Sequence, residues 1–538
     1  MTSQHSATSP ATPTAAAAPP RVVVVGGGFS GASAALQLWR AVAGPLAITV
    51  VDPQPGLGRG LAYATPDPQH RLNAPTFVHT LLPEDLWHFT RWCEARQVLR
   101  EDPEALWADG GVYLRRAYLA MYASETLADA AAQAGPGRSL QHLADRVTAV
   151  EGLPLAPVVH TAGGARLPAD LVVLATGHPA LRWPAALAGL AGCGGQAAQA
   201  DPTGQGADGR LVVDPFQPGA LAAVPRGARV GLLGSGLTAL DALSTLLAQG
   251  HAGPIGVWSR HGLRPREQVA WPAALQGAGA APAGTQRPGA TLLLDRVMGP
   301  PPAWLPLGEG GVLPTARGWL AALRAEVRRL GAEGLPWQSA FDALRDPLWQ
   351  LWPRLPRAEQ RRVLRHLKTW YDVHRYRVPP QNDALVRAAE AAGRVVFERA
   401  RVQAAEIGSG GVRLTLARPA ATGAQPGGDG PAEFEAEVDV LVNATGLDPA
   451  AALAQNPVLA QLAAGGWLQR DDLGLGVAVT PEGAVCAADG QPLTRLRVVG
   501  PLTVGAFGDP VGAFFIAAQI RRMLPDWLRS LGPASGPK

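Results

Sequence analysis

Two segments of the chain contain the same three patterns in the same order: a short apolar run, a glycine turn, and a longer stretch of helical composition. The first segment begins at Arg21 and continues with four valines, Val22–Val25. A continuous apolar run of this length predicts a strand that is buried on both faces of a parallel sheet. The valines lead into Gly-x-Gly-x-x-Gly, and residues 32–39 continue with the composition of a helix. The pattern therefore predicts a strand, a tight turn and a helix in succession.

Each glycine of this turn has its own physical role. Gly26 permits the tight turn, Gly28 lets the backbone approach a pyrophosphate, and Gly31 lets helix and strand pack closely. The N-terminus of the predicted helix, at Ser30, faces the phosphate charge. The next predicted strand ends at Asp52, where a carboxylate can accept hydrogen bonds from a ribose. These features predict a dinucleotide site, and a glycine turn without a ligand is the less favoured interpretation.

The second segment begins at Ala228 and repeats the strand, the turn and the helix. The positions expected to line a nucleotide here are Gly234, Gly236, Leu237 and Thr238. The next apolar run, 255–258, ends in Ser259 and Arg260 where the first copy has an acid. An arginine at this point suits a ribose 2′-phosphate, so NADPH is predicted rather than NADH. The alternative is a solvated surface arginine.

Each copy later returns to an apolar strand that ends in Ala-Thr-Gly. The first copy ends in Ala175-Thr176-Gly177 and the second in Asn443-Ala444-Thr445-Gly446. From the first glycine to this alanine the copies span 149 and 210 residues, so the second is longer by 61. We place the additional residues in a Pro-, Gly- and Trp-rich insertion near 264–353 that contains one clear helix, 316–330. A repeat of this length indicates duplicated domains.

The two copies indicate an α/β protein with two Rossmann-like, three-layer dinucleotide-binding domains. We expect FAD to bind the first domain and NADPH to bind the second, which is inserted into the first. The predicted division is a disordered tail at 1–20, the first part of the FAD domain at 21–180, the NADPH domain at 181–445, the return to the FAD domain at 446–530, and a tail at 531–538.

Composition narrows the classes of partner. The 538 residues are 47% hydrophobic and 17% charged, which is enough apolar material for sizeable cores. The net charge is only +4, too small for a nucleic-acid surface, and nearly all of the positive charge is arginine. Guanidinium groups suit the local docking of phosphates or carboxylates. No uninterrupted apolar run of 18 residues predicts a membrane span.

The cysteines and the N-terminus bear on the compartment. Cys93, Cys193 and Cys486 are too far apart in sequence to form a disulfide framework or a spaced zinc site. The first twenty residues lack the basic start and the apolar core of a signal peptide, so a cytoplasmic protein is expected. No metal-spaced His or Cys cluster stands out. A disulfide reductase would need two close cysteines, and that function is excluded.

Further motifs are spread over most of residues 21–520. They are GRGLAY at 58–63, HRLNAP at 70–75, GVYL at 111–114, GSGLTALD at 234–241 and WYDVHRYRVPP at 370–380. With them the chain resembles a bacterial family of two-dinucleotide-binding flavoproteins that includes FAD-dependent urate hydroxylases and nitrosuccinate synthases. The resemblance implies a flavin monooxygenase that uses NADPH and oxygen. Many members carry an acidic, proline-containing stretch after Gly-Pro-Leu, whereas this chain reads TVGAFGDPVG there, which leaves the substrate-side chemistry open.

Several other residues are candidates to contact a bound flavin. Arg59 could touch the pyrophosphate, with surface exposure as the alternative. Asn73 could donate its amide to the flavin rim, or it could simply cap a turn. Val147 lies where such folds clasp adenine through backbone groups, and its side chain is expected in the core. Gly500 and Gly512 bound the stretch before the last helix, which is expected to begin beside the flavin.

The segment 370–380 concentrates three cations among three aromatic residues. The preceding stretch, 357–368, has the pattern of an amphipathic helix whose polar face is mostly solvated arginine. Arg375 and Arg377 could be aimed at a phosphate or an anionic substrate, with a solvated role as the alternative. His374 is a candidate acid or base, although a satisfied structural histidine is the more favoured interpretation.

The preferred hypothesis is a monooxygenase in which NADPH reduces FAD and a small substrate receives one oxygen atom from O₂. The substrate is expected to be anionic or to contain nitrogen, with urate hydroxylation and N-oxidation of an amine or amino acid as named candidates. Asn73, His374 and Arg375 are the candidate catalytic residues. The alternatives are a flavoprotein that passes electrons to another acceptor, and an FAD-binding sensor or partner protein without catalysis.

Overall fold

Parallel strands joined by helices form the two largest sheets of the chain. The computed structural model describes residues 18–177, 181–182, 184–190, 209–212, 214–269, 292–308, 313–419, 432–449 and 451–531. Residues 1–17 and 532–538 of the predicted tails lie outside this description, as do residues 270–291 and 309–312 of the predicted insertion. Strands and helices are numbered below in chain order.

The first sheet is built from both ends of the chain. Its strands are, in spatial order, β16 (Ala484–Cys486), β17 (Pro492–Val498), β7 (Leu171–Leu174), β1 (Arg21–Val25), β2 (Leu46–Val51) and β3 (Arg138–Leu143). All neighbours are parallel except β16 and β17. Val24 pairs with Val50 on one side and with Val173 on the other. The valine run is therefore a buried central strand, as the sequence predicts.

Two different layers cover this sheet. The elements involved are α1 (Phe29–Ala41), α4 (Ala117–Ala132) and α16 (Ala513–Ser530) on one face, and β4 (Val147–Glu151), β5 (Val158–Thr161), β6 (Arg166–Pro168) and α14 (Pro457–Ala464) on the other. Val22 and Val24 join the core with the three helices. Val23 and Val25 join the second core. The division follows from the strand geometry, because successive side chains point to opposite faces.

The second sheet repeats this arrangement with five parallel strands. They are, in spatial order, β11 (Val395–Arg399), β10 (Ile255–Ser259), β9 (Val230–Leu233), β15 (Val440–Asn443) and β8 (Leu211–Val212). One face carries α5 (Leu237–Ala248) and α12 (Pro380–Ala391). The other carries an antiparallel sheet of β12 (Arg401–Gly408), β13 (Gly411–Ala417) and β14 (Glu433–Val438). Two three-layer α/β units confirm the predicted fold class.

The insertion and the residues that follow it form a helical region, most of which packs into a core of its own. Its helices are α6 (Leu292–Met298), α7 (Ala316–Ala332), α8 (Gln338–Arg345), α9 (Leu348–Leu351), α10 (Arg357–Arg362) and α11 (Lys368–Arg375). The predicted helix 316–330 is confirmed as α7. The predicted helix 357–368 is α10 followed by a π-helical turn, Val363–Leu367. The sequence did not predict α6, α8 or α9, because helices of four to eight residues are too short to show a helical period.

The four remaining α-helices of the described residues are short. They are α2 (His88–Ala95), α3 (Val98–Glu101), α13 (Ala452–Gln455) and α15 (Val504–Phe507). Among the described residues, no helix combines the length and the apolar character needed to cross a bilayer.

Candidate cofactor and active site

The first glycine turn lies at the carboxyl end of β1, against the Ala-Thr-Gly turn that follows β7. Gly26 has a φ of +101°, and a Cβ on it would lie 2.4 Å from the carbonyl oxygen of Ala175. A Cβ on Gly31 would lie 1.9 Å from the oxygen of Gly26. Neither position can accept a side chain without moving the backbone. The local structure therefore needs glycine at the first and third positions of the motif.

The carboxylate of Asp52 lies at the mouth of this turn. Its Oδ2 accepts a hydrogen bond from the backbone N–H of Gly27 at 2.6 Å, and its Oδ1 accepts one from Gln54 at 2.8 Å. Each carboxylate oxygen can accept a second bond. Asp52 is partly exposed, so this acceptor remains reachable from outside the turn.

The loop after β2 folds back over the turn. A Cβ on Gly28 would lie 3.2 Å from the Cα of Gly60, so the second glycine faces the backbone of this loop. Within the described residues, the amides of Gly28 and Gly60 donate to no backbone carbonyl or side chain. Unbonded N–H groups at a glycine turn favour an anion. Arg59, which precedes Gly60 in the loop, is exposed, and its side chain lies close to Gly56.

One buried hydroxyl at the site has no partner. The Oγ1 of Thr176 makes no hydrogen bond in the described part of the chain. The space beside Gly177 is open, since a Cβ there would meet nothing within 4 Å. On the other side of the turn, Gly500 has a φ of +79° and lies against Ser30, where a Cβ would be 2.6 Å from the serine oxygen. An unpartnered hydroxyl, free amides and an available carboxylate fit the ribose and pyrophosphate of FAD.

The second glycine turn, at the end of β9, is more open than the first. Gly234 lies against the carbonyl oxygen of Ala444, as Gly26 lies against that of Ala175. Gly236 is exposed, and a Cβ on it would meet nothing within 4 Å. Leu237 and Thr238 are half-buried at the start of α5. A pyrophosphate can approach this helix N-terminus directly.

The Asn-Ala-Thr-Gly turn of the second unit is bonded to the linker between the units. Asn443 Nδ2 and Thr445 Oγ1 both donate to the carbonyl oxygen of Arg182, at 3.0 and 2.8 Å. The same hydroxyl oxygen also lies 2.8 Å from Asn443 Oδ1. Gly446 has open space beside it. Thr445 therefore has a structural partner, whereas Thr176 has none among the described residues.

Cationic side chains gather at the carboxyl ends of β10 and β11. Arg260 and Arg399 are both exposed, and Arg399 Nε donates to the carbonyl oxygen of Arg260. Burial lowers the pKa of His261, and the charges of Arg260, Arg399 and Arg401 lower it further. Ser259 accepts a hydrogen bond from Ser235 at 2.8 Å, which fixes the strand end to the glycine turn. The sequence singled out Arg260 but missed the two other arginines. Arg399 ends β11 and Arg401 begins β12, and β11 lies 140 residues further on and pairs with β10 only in the fold.

Asn73 lies in a loop that a buried ion pair holds in place. Arg71 Nη1 donates to Asp102 Oδ1 at 3.1 Å, and both side chains are buried. The backbone carbonyl of Asn73 accepts a hydrogen bond from Gln268 Nε2 at 2.7 Å. Within the described residues the side-chain amide of Asn73 makes no hydrogen bond, so it is available to a ligand. Val147 begins β4, and its side chain is buried in the core, as expected.

Arg375 is bound to a carboxylate in the motif where the chain departs from the resembled family. Its Nε donates to Asp509 Oδ2 at 2.8 Å, and both side chains are almost fully buried. The hydroxyls of Tyr371 and Tyr376 also donate to Asp509, at 3.1 and 2.9 Å. Burial raises the pKa of both phenols well above the usual value, so they remain hydrogen-bond donors. Arg375 Nη2 donates in addition to the carbonyl of Val511.

The other two basic residues of this segment, Arg377 and His374, have partners within the helical region. Arg377 Nη2 donates to Asp342 Oδ1 at 2.6 Å, and its guanidinium is buried. His374 is stacked on Phe341 with ring centroids 4.6 Å apart, and its Nδ1 donates to the carbonyl of Trp370. Burial lowers the pKa of His374, which favours the neutral imidazole. The structure thus places Arg375 and Arg377 in ion pairs and His374 in an aromatic stack.

A family model for FAD-NAD(P)-binding domains matches residues 23–179 of the chain. This stretch contains the first glycine turn, Asp52 and Thr176. The chain carries a FAD-NAD(P)-binding domain, and the prediction of FAD and a nicotinamide dinucleotide as cofactors is confirmed at that level. A comparison with curated proteins gives no match.

Solved structures with a similar fold include two ornithine hydroxylases. The ornithine N-hydroxylase of Kutzneria sp. 744, solved with reduced FAD, NADP⁺ and L-ornithine, has a TM-score of 0.55 and 16% identity, over 95% of this chain and 99% of that chain. The reduced ornithine hydroxylase of Pseudomonas aeruginosa has a TM-score of 0.51 and 14% identity, over 95% and 98%. The chain has the fold of these two hydroxylases. The narrower resemblance to urate hydroxylases and nitrosuccinate synthases stays a prediction.

Proposed function

We propose that the chain is an FAD-dependent monooxygenase that oxidises NADPH and transfers one oxygen atom to a small substrate that contains nitrogen or carries negative charge. The observation that carries this proposal is the pair of glycine turns, each at the carboxyl edge of its own parallel sheet. Ligands of open α/β sheets bind at that edge. One turn offers groups that suit FAD, and the other offers an open helix N-terminus beside three arginines.

The first turn would hold FAD through groups that already converge on it. Asp52 would accept hydrogen bonds from the ribose, and the amides of Gly28 and Gly60 would donate to the pyrophosphate. The hydroxyl of Thr176 would donate to the same ligand. Arg59 and the side-chain amide of Asn73 are further candidate contacts. FAD, when bound, supplies the hydride acceptor and the reaction with oxygen.

The second turn would hold NADPH, with the pyrophosphate at Gly236 and the 2′-phosphate at Arg260. Arg399 and Arg401 add positive charge at the same strand ends. None of these three guanidinium groups has an ion pair with a carboxylate in the described part of the chain, so they would repel one another, and a phosphate dianion would relieve that repulsion. This supports a preference for NADPH over NADH. The proposed net reaction is NADPH, a proton, oxygen and substrate going to NADP⁺, water and the oxygenated substrate.

Arg375 and Asp509 act in this proposal as positioning residues. Gly508 and Gly512 have φ values of +82° and +104°, so the chain between them makes two sharp changes of direction before α16 begins. Asp509, in this stretch, is held by three donors from α11 and the residue that follows it. The contact fixes the start of α16, beside which we place the flavin, and it excludes water from this side of the site. His374 would also be a positioning residue, because its stacking on Phe341 holds the end of α11 in place.

The test of the function measures NADPH and oxygen together. Purified yellow protein is mixed with NADPH alone, and then with urate, primary amines and amino acids including ornithine. The proposal expects that one substrate class stimulates NADPH oxidation, with oxygen uptake equal to it and little peroxide released. Unstimulated slow oxidation, or fast transfer to quinones or carrier proteins, would favour a flavoprotein that passes electrons elsewhere. A protein that binds FAD but is not reduced by NADPH would be a sensor or partner protein.

A further inference from the structure

Asp241, on the helix that follows the second glycine turn, contacts the FAD-binding unit. Asp241 lies in the second turn of α5, and both of its carboxylate oxygens accept from Arg116, which directly precedes α4. Nη1 to Oδ2 measures 2.8 Å, and Nη2 to Oδ1 measures 3.1 Å. The side chains are 12% and 4% exposed. A bidentate arginine–carboxylate pair fixes orientation as well as distance.

Arg116 is held in place before it meets Asp241. Its Nε donates to the carbonyl of Arg71 at 2.9 Å, and its backbone N–H donates to the carbonyl of His70 at 2.8 Å. Arg71 is itself anchored by Asp102. The guanidinium therefore belongs to the rigid part of the FAD-binding unit. A group that is already ordered loses little further freedom when it makes its contact.

The same face of α5 makes a second contact, one helical turn later. Thr245 Oγ1 donates to Asp67 Oδ2 at 2.6 Å. Residues four apart lie above one another on a helix, so Asp241 and Thr245 both face the FAD-binding unit. Next to them, Asn382 Nδ2 of α12 donates to both Ser244 Oγ and the carbonyl of Gln69. Loop 65–71 of the first unit therefore contacts two helices of the second.

These contacts bear on the distance between the two nucleotide sites. Helix α5 begins directly after Gly236, where we place the NADPH pyrophosphate. Arg116 precedes α4, and a Cβ on Gly58, in the loop over the first glycine turn, would lie 2.6 Å from a side chain of that helix. A movement of α5 relative to Arg116 would thus move one nucleotide site relative to the other. Hydride transfer requires the reacting atoms to approach within about 3–3.5 Å.

We infer that Arg116 and Asp241 are a pair of positioning residues that set the nicotinamide of NADPH against the flavin. This inference rests on the proposed function for its kinetic consequence, but not for its structural one. Within the described residues, one other charged pair this deeply buried joins 181–445 to the FAD-binding unit, Arg375–Asp509, and it comes from the helical region, whereas Asp241 lies on the helix that follows the second glycine turn.

The test compares D241N, R116Q and the double variant R116Q/D241N with the wild type. Flavin reduction by saturating NADPH is followed without oxygen, and the Kd of NADPH and the FAD content are measured separately. We expect the single variants to reduce FAD on the order of 10²-fold more slowly, since a small misplacement costs that much, with little change in Kd or FAD content. The double variant leaves neither charge unpaired, and we expect it to fold and still to be slow.

A matched control and a structural readout complete the design. R229Q removes an exposed ion pair with Asp439 that lies wholly within the second unit, so it should leave the reduction rate unchanged. Hydrogen exchange of loop 65–71 is measured on FAD-loaded protein without NADPH, and it should be faster in the single variants and in the double variant than in R229Q. Wild-type reduction rates and unchanged exchange in all three variants would overturn the inference. A wild type that NADPH does not reduce would contradict the proposed function, while the exchange experiment would still decide whether the pair holds the interface.

Discussion

Asp509 accepts a hydrogen bond from Arg375 at 2.8 Å, and this contact joins the start of α16 to the end of α11. The helical region, which interrupts the second copy in sequence, is thereby bound to the last helix of the first unit. Trp352 of the same region donates to the carbonyl of Gly505, close to this pair. The helical region thus packs against the stretch that leads into α16.

The first prediction concerns this pair. D509N leaves Arg375 buried without its carboxylate, so the free energy of unfolding should fall by about 3–5 kcal/mol. E333Q is the control, since it removes an exposed pair with Arg329 and should cost under about 1 kcal/mol. Thermal and urea unfolding measure both effects. An equal loss in the two variants would show that the buried pair has no special weight.

The second prediction concerns Thr176. Since its hydroxyl has no partner among the described residues, T176V should leave the FAD-free protein as stable as the wild type or more so. The Kd of FAD should rise roughly fivefold, which corresponds to one lost hydrogen bond of about 1 kcal/mol. Titration of the FAD-free protein measures this.

Thr445 provides the matched control for that prediction. T445V removes the hydrogen bonds to Arg182 and Asn443, so it should lower the stability by about 1 kcal/mol and leave FAD binding unchanged. If T176V instead destabilises the FAD-free protein, the hydroxyl has a structural partner and the site assignment fails.

The third prediction separates two glycines of the second turn. Gly236 has an extended backbone and open space, so G236A should fold with normal stability, to within about 0.5 kcal/mol. Its new methyl group would occupy the approach to the pyrophosphate, so the Kd of NADPH should rise about tenfold or more. G234A should instead lose stability, because a Cβ there lies 2.1 Å from the oxygen of Ala444. An unchanged NADPH affinity in G236A would place the nucleotide elsewhere.

The fourth prediction concerns the choice of nicotinamide. R260A and R399A should each lower the ratio of kcat/KM for NADPH to that for NADH by roughly tenfold, as expected for one lost charge-assisted hydrogen bond. R413A, at an exposed position of β13, is the control and should leave the ratio unchanged. A ratio that survives both substitutions would show that these cations do not contact the 2′-phosphate.

The fifth prediction concerns pH. Burial lowers the pKa of His79 to about 4, from an ordinary value of 6.5. Between these values the unfolded chain binds a proton that the folded chain does not, so stability should fall as the pH falls from 6.5 to 4 and this loss should then level off. The expected loss is about 3 kcal/mol. Unfolding measured across this range should show a weaker dependence in H79N than in the control H366N, which alters an exposed histidine.

Several features of the site were readable from the sequence because they are local. The valine run, the first glycine turn and Asp52 follow one another within about 30 residues, and the motif itself shows which positions need glycine. The same holds for the second turn and Arg260. The side chain of Val147 was also placed correctly, since an apolar residue at the start of a strand belongs in the core.

The sequence did not reveal what the charged residues of segment 370–380 contact. It offered Arg375 and Arg377 as candidate anion ligands, yet Asp509 and Asp342 take up their guanidiniums. These partners lie 134 and 35 residues away, on elements whose proximity depends on how the helical region packs. The pairing of Arg116 with Asp241, 125 residues apart, was invisible for the same reason.

The sequence by itself determined the two α/β units and the positions of both nucleotide turns, since periodicity and glycine geometry act over a few neighbouring residues. Only the tertiary structure decided which charges are free and which are neutralised. An arginine in a sequence does not show its partner. Its role depends on whether folding brings a carboxylate within hydrogen-bonding distance of the guanidinium and removes the water around it.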